Sequence, residues 1–218
     1  MKMKQSGFTL IEIAIVLVII GLLLGGVLKG QELIESSRTK NAANDMNGVI
    51  AAYNSYIDRY RRVPGDDGDL AALTARGGNW TTAGITAGNV NGAIAATLAN
   101  TFAAGGETVQ FFQHLRAAGF LNGNPGTVGV DALPTNAWAG RTSITNAVSQ
   151  GRVAARLQVC MSNVPGKSAL ALDVQLDDGL PNNGGLRANL GAGVTAPAAA
   201  AAATYDEAQN YTICRDMV

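Results

Sequence analysis

Few side chains in this sequence could carry out chemistry. There is one histidine, His114, and two cysteines, Cys160 and Cys214. These cannot complete a tetrahedral zinc site made only of His and Cys, which needs about four such ligands. Oxygen donors are better supplied. Asp66-Asp67-Gly68-Asp69, and Asp177-Asp178-Gly179 with Asn182-Asn183, are oxygen-rich turns. Calcium takes about six to eight oxygens, and neither run has EF-hand spacing. Ordinary turn chemistry accounts for both, and no other cofactor is indicated. His114 falls on a predicted helix without Ser, Cys or carboxylate at a recognisable motif spacing, and reads as structural. No G-x-S-x-G elbow, phosphate loop or metal pattern is present to support catalysis. The anomaly is Glu12, a carboxylate inside an apolar run. Ionisable groups there are costly and mark function by default. It either snorkels to a membrane interface or meets a positive partner when helices pack.

The elements around Glu12 set its context. From Phe8 to Leu28 lie 21 residues, of which sixteen are apolar, three are Gly, one is Thr and one is Glu. As a helix they span roughly 31 Å, close to the hydrocarbon thickness of a bilayer. A secretory signal peptide would have a shorter apolar region and a small-residue cleavage site beyond it. Here the run passes straight into Lys29-Gly30-Gln31-Glu32. Lys2 and Lys4 precede it, which places the N-terminus in the cytoplasm and the body outside. The chain as a whole has 16 basic and 16 acidic side chains, which argues against a dedicated nucleic-acid binder. With 15% charged and 47% apolar residues, disorder throughout is also excluded.

Lys4-Gln5-Ser6-Gly7-Phe8-Thr9-Leu10-Ile11-Glu12, followed by the apolar run, resembles the class III leader of type IV pilins and type II secretion pseudopilins. In that family a prepilin peptidase cuts after the glycine, the new N-terminal residue is N-methylated, and a Glu five residues into the mature chain supports assembly. The resemblance therefore implies cleavage after Gly7, methylation of Phe8 and an assembly role for Glu12. Arg61-Arg62-Val63-Pro64-Gly65-Asp66, Gln113 to Leu121 and Leu176-Asp177-Asp178-Gly179 look like segments of a prepilin-like group. Many type IV pilins have a helix-kinking proline where this chain has Lys29. Gly25, Gly26 and Gly30 lie beside it and would loosen the helix instead, at about 1 kcal/mol each relative to Ala.

Beyond the apolar run, Met46, Val49, Ile50, Tyr53, Tyr56, Ile57 and Tyr60 recur at three- and four-residue steps. That is one face of an amphipathic helix. Pro64 disfavours helix at Val63, so the helix is predicted to end just before it. The remainder is glycine-rich and reads as a head with many turns. Glu107–Leu121 is predicted as a short helix with Val109, Phe112 and Phe120 inward. Arg152–Val159 and Ser168–Leu176 both alternate, and with Asn163-Val164-Pro165-Gly166 between them they are predicted as an antiparallel hairpin. Tyr211–Val218 is a predicted last strand, and alanine-rich 196–203 a surface loop.

For an exported head, Cys160 and Cys214 are most simply a disulfide, with two buried free thiols as the alternative. Type IV pilins commonly carry such a C-terminal disulfide loop, whereas major type II pseudopilins commonly lack it and some pseudopilins bind calcium in a C-terminal loop, a resemblance that makes Asp177 and Asp178 candidate calcium ligands. The expected fold is α+β, a type IV pilin-like ladle whose long N-terminal helix packs on a small antiparallel sheet. Residues 1–7 would be the leader, 8–28 the membrane and filament-core half of the helix, 29–60 its amphipathic half and 61–218 the head. The implied function is structural, not enzymatic: a prepilin polymerising into a type IV pilus. The alternatives are a type II pseudopilin in a periplasmic pseudopilus, or a membrane-anchored periplasmic enzyme or binding module. Implied partners are further copies, other pilin-like subunits, the peptidase, the inner-membrane assembly platform and the membrane itself. The prepilin would be single-pass in the inner membrane, and the product a periplasmic or cell-surface filament.

Overall fold

The computed structural model describes Gly7 and residues 9–217. They fall into two compact units, Met1–Arg38 and Thr39–Val218. Helix α1, Leu10–Tyr60, contributes to both. In the first unit the large apolar side chains from Leu10 to Ile34 are exposed, and this part of α1 is long and apolar enough to cross a membrane.

In the second unit α1 behaves as an amphipathic helix should. Met46, Val49, Tyr53 and Tyr56 are buried, and Ile50, Ile57 and Tyr60 pack against the core from its margin. Ala42, Ala43 and Ala52 fill the same face. The helix stops where Pro64 requires it to. Arg61 takes a left-handed φ of 53° while its N–H still reaches the Ile57 carbonyl at 2.8 Å.

The remaining elements are α2 (Leu70–Thr74), α3 (Glu107–Ala117), β1 (Thr142–Thr145), β2 (Gln158–Pro165), α4 (Gly166–Leu176), β3 (Leu186–Leu190) and β4 (Asn210–Asp216). The four strands form one antiparallel sheet in the order β1-β2-β4-β3. A single core joins Met46 and Tyr56 of α1, Phe111 and Leu115 of α3, Val159 and Ile213 of the sheet, and Leu172 of α4. A long N-terminal helix with a small antiparallel sheet is the expected α+β arrangement. Helix α3 ends four residues earlier than predicted, because Gly119 turns left-handed at φ 80°. Its N–H bonds the Arg116 carbonyl while that of Phe120 bonds the Leu115 carbonyl, closing a Schellman motif.

The predicted hairpin is wrong. Ser168–Leu176 is helical, and its buried residues Ser168, Ala169, Leu172 and Asp173 follow helical spacing. A short Ala/Leu-rich run can satisfy both periods, and good helix formers packed on the sheet decide for the helix. Asn163 to Pro165 are therefore the end of β2, and Gly166 opens α4. The first predicted strand fails differently. Only Gln158 and Val159 of Arg152–Val159 lie in β2, and Val153 is 99% exposed. The Arg152 guanidinium bonds Asp216 and the Gly185 and Cys214 carbonyls, which takes this backbone out of the ladder. The last predicted strand is β4, and Val218 lies outside the described residues. The alanine run is a loop, with the Ala202 N–H bonded to the Ala188 carbonyl of β3 at 2.7 Å.

Gly166 sits at the strand-to-helix junction because no side chain fits there. A Cβ would lie 1.9 Å from the Asp206 carbonyl oxygen and 3.1 Å from that of Gln209. Gly166→Ala is therefore expected to destabilise the head by about 2 kcal/mol or more, read as a fall in the denaturant midpoint of the full chain in detergent.

Candidate processing and assembly site

The start of α1 is built by two side chains. The Thr9 hydroxyl oxygen accepts from the Glu12 N–H at 3.3 Å, and the Thr9 N–H donates to Glu12 Oε2 at 2.8 Å. Together they form a capping box, which satisfies two donors that a helix start otherwise leaves open. The Thr9 hydroxyl also donates to Oε2 at 2.8 Å. No described residue bonds Oε1, so one face of the carboxylate stays available. The signal was present in Thr9-Leu10-Ile11-Glu12 as S/T-x-x-E spacing, but the sequence reading assigned no role to Thr9. Gly7 is exposed, and a Cβ there would meet nothing within 4 Å. Phe8, Lys2 and Lys4 lie outside the described residues.

In the head, Cys160 and Cys214 are directly opposed in the β2–β4 register and joined by a disulfide. Asp177 and Asp178 come together with buried Asp173, with carboxylate oxygens within 4.8 Å of one another. Protein donors already serve all three carboxylates. Asp173 accepts from the Tyr205 hydroxyl at 2.7 Å and the Gly179 N–H at 3.1 Å. Asp177 accepts from the Leu186 N–H at 2.8 Å, and Asp178 from the Leu180 N–H at 2.9 Å. This pattern locks the turn between α4 and β3.

The other acidic turn departs from its reading as a plain turn, because Asp66 and Asp67 are buried. Asp67 accepts from the Tyr56 hydroxyl at 2.5 Å and takes a bidentate pair from Arg76 at 2.8 and 3.0 Å. The Arg76 guanidinium lies 4.5 Å from the Tyr60 ring centre and 4.8 Å from that of Trp80. Burial, then the bond to Asp67, pushes the Tyr56 hydroxyl pKa well up. Asp66 accepts from the Asn91 and Gly92 N–H groups. Sequence reasoning missed this network because Arg76 and Tyr56 stand 20 residues apart and no motif links them.

His114 completes the corner and is structural. Its Nδ1 accepts the Gly65 N–H at 2.9 Å, so the proton resides on Nε2, which donates to the Thr86 carbonyl at 2.8 Å. Burial pushes its pKa below the usual value.

The chain matches the family model described as the prokaryotic N-terminal methylation motif over residues 2–28. It is also 33% identical over 108 residues to the fimbrial protein EcpC of Eikenella corrodens, a match covering 49% of this chain and 71% of that protein. No solved structure matches. The class defined by the fold and the N-terminal segment is that of membrane-anchored filament subunits. The chain belongs to the type IV pilin family, and membership implies assembly into multi-subunit filaments. Its apolar helix and prepilin motif fit a membrane-anchored precursor.

Three outcomes are expected in the head. Arg76→Gln leaves Asp67 buried with its charge unpaired and should cost about 3 kcal/mol. Tyr56→Phe should cost about half that, both by denaturant unfolding. For His114, the unfolded chain binds a proton below its ordinary pKa of about 6.5 while the folded chain resists it. Its contribution is therefore complete above that pH and is lost as pH falls towards the lowered folded value. Thermal melts from pH 7 to pH 5 should show a larger loss for the native chain than for His114→Gln.

Proposed function

We propose that this chain is a prepilin, cut after Gly7 by a prepilin peptidase, methylated on Phe8 and polymerised through α1 into a type IV pilus. The observation that carries the reading is the N-terminal methylation motif over residues 2–28 leading into a helix with exposed apolar side chains. Exposed apolar surface of that extent needs lipid or other helices to cover it. Lipid serves the precursor and neighbouring α1 helices serve the product. Residues 1–7 are the leader, 8–28 the span and later filament core, 29–60 the amphipathic half and 61–218 the head. The role is structural and involves no catalysis. The precursor stands in the inner membrane with its N-terminus in the cytoplasm, works with the assembly platform and ends in a surface filament. A type II pseudopilus would use the same assembly chemistry. Likeness to a fimbrial protein and the Cys160–Cys214 bond favour the pilus.

Glu12 supplies the register in this reading. Cleavage exposes an amine on Phe8, and in staggered helices the carboxylate of one subunit meets the amine of the next. The capping box uses Oε2 and leaves Oε1 for that amine. Away from water the pair lowers the cost of both charges. Glu12→Gln is a clean test because the amide oxygen keeps the capping box while the charge, and the free acceptor oxygen that would meet the amine, are lost.

Mass spectrometry of mature protein should find an N-methylated Phe8 start; an intact Met1 terminus in cells with the peptidase would overturn the reading. Glu12→Gln should insert and be cleaved normally yet give a sheared-filament yield about tenfold lower, with Glu12→Asp intermediate. Such a loss corresponds to about 1.4 kcal/mol of assembly free energy. Normal filament yield from Glu12→Gln would remove the proposed role of the charge.

A further inference from the structure

Arg152, Arg156 and Arg187 converge with Asp216 on a cavity of about 160 Å³ edged by Val153, Ala154 and Gly184. Arg152 forms its inner wall, with a side chain only 4% exposed. It bonds Asp216 Oδ1 at 2.8 Å, the Gly185 carbonyl at 2.9 Å, the Cys214 carbonyl at 3.0 Å and Gln150 Oε1 at 3.1 Å. The other two guanidiniums are far less used. Arg187 donates from Nε to the Gly184 carbonyl at 3.1 Å and from Nη1 to the Gln150 carbonyl at 3.4 Å. Arg156 approaches Asp216 Oδ2 only to 3.7 Å, with its side chain 58% exposed. A guanidinium offers about five N–H donors, so Arg187 Nη2 makes no hydrogen bond to a described residue, and the Arg156 fork makes none beyond its long ion pair with Asp216.

The charge balance points the same way. Among the described residues that line the cavity, three guanidiniums face the one carboxylate of Asp216, while the Asp177 carboxylate behind Gly184 is taken up by the Leu186 N–H. Burial pushes the Arg152 pKa down; Asp216 opposes this, and repulsion from Arg187 and Arg156 adds to the downward push. Arginine forks match planar or tetrahedral oxyanions in bidentate geometry. A space of this size takes one such group and little else.

We propose that this pocket binds a single oxyanion, a carboxylate or phosphate group, through Arg156 and Arg187 against the fixed wall of Arg152. The group comes either as a free anion or as an acidic side chain of a second copy of this chain. The site itself is independent of whether the chain polymerises.

The test uses the full chain dispersed in detergent, titrated calorimetrically with inorganic phosphate against chloride at matched ionic strength. Saturable binding of one phosphate per chain is expected, together with a phosphate-dependent rise in Tm. Arg156→Gln and Arg187→Gln should each weaken binding about fivefold or more. Arg156 is exposed enough for its replacement to fold normally. Arg215→Gln, outside the pocket and bonded to Asn47, should bind like the native chain. Phosphate behaving as chloride does, or binding undiminished in both pocket variants, overturns the proposal. Once binding is seen in the dispersed chain, the same titration on assembled filaments identifies the source. Retained binding there means a free anion, and lost binding means a neighbour's carboxylate fills the pocket.

Discussion

A carboxylate withdrawn from water must be met by charge and donors, or the fold that buries it fails. Asp67 is 1% exposed, and the head is arranged around meeting that demand. Tyr56 reaches it from the last turns of α1, and Arg76 from beyond α2. The chain must therefore reverse tightly between Tyr60 and Asp66, which left-handed Arg61 and Gly65 allow. Gly65 has a second constraint, since a Cβ there would meet the Glu107 carbonyl at 2.7 Å. Its N–H is read by His114, so one four-residue stretch, Pro64-Gly65-Asp66-Asp67, is bonded to α1, α3 and the 89–92 loop together. The aromatic rings of Tyr56, Tyr60, Trp80 and His114 close over these bonds and keep the local dielectric low, which strengthens them.

The N-terminal unit obeys a different constraint. From Leu10 to Leu28 the backbone is satisfied within the helix and every side chain but that of Glu12 is apolar or absent. What it requires is a nonaqueous surrounding. A lipid bilayer and a bundle of apolar helices meet that requirement about equally well, so the proposed anchor and filament-core roles make the same demand on the segment. In the proposed assembly the charge of Glu12 tells the two apart. In a bilayer it is a cost to be minimised at the interface, whereas in a bundle it can select one axial position.

In the head, the C-terminal strands show how much of the sheet is held by polar side chains rather than by apolar packing alone. Arg152 spans from Asp216 to the Gly185 and Cys214 carbonyls, and Gln150 bonds Asn189 and the Thr212 carbonyl. The disulfide joins the same β2–β4 pair. Glycine-rich connections leave such a sheet little local rigidity, and these cross-links supply it. The same polar wall leaves arginine donors facing outwards, so the device that holds the sheet also creates a positively charged surface cavity.

The sequence alone determined what depends on neighbouring residues. The apolar run, the basic flank, Gly7-Phe8 and Glu12 are legible because the N-terminal methylation motif is a local stretch of sequence. The helix reaching to Tyr60 was legible because its stripe repeats over many turns and Pro64 ends it. Short segments were not. Ser168–Leu176 fits both a strand and a helix over so few residues, and only packing on the sheet made it α4. Arg152–Val159 alternates as a strand should, yet the buried Arg152 took its own backbone out of the ladder. Asp66 and Asp67 look like any solvated turn until Tyr56 and Arg76 are brought to them. The Arg152, Arg156 and Arg187 cluster has no spacing that announces it. These features rest on residues far apart in the chain whose cost of burial is offset only when folding brings them together, and that meeting is decided by tertiary structure.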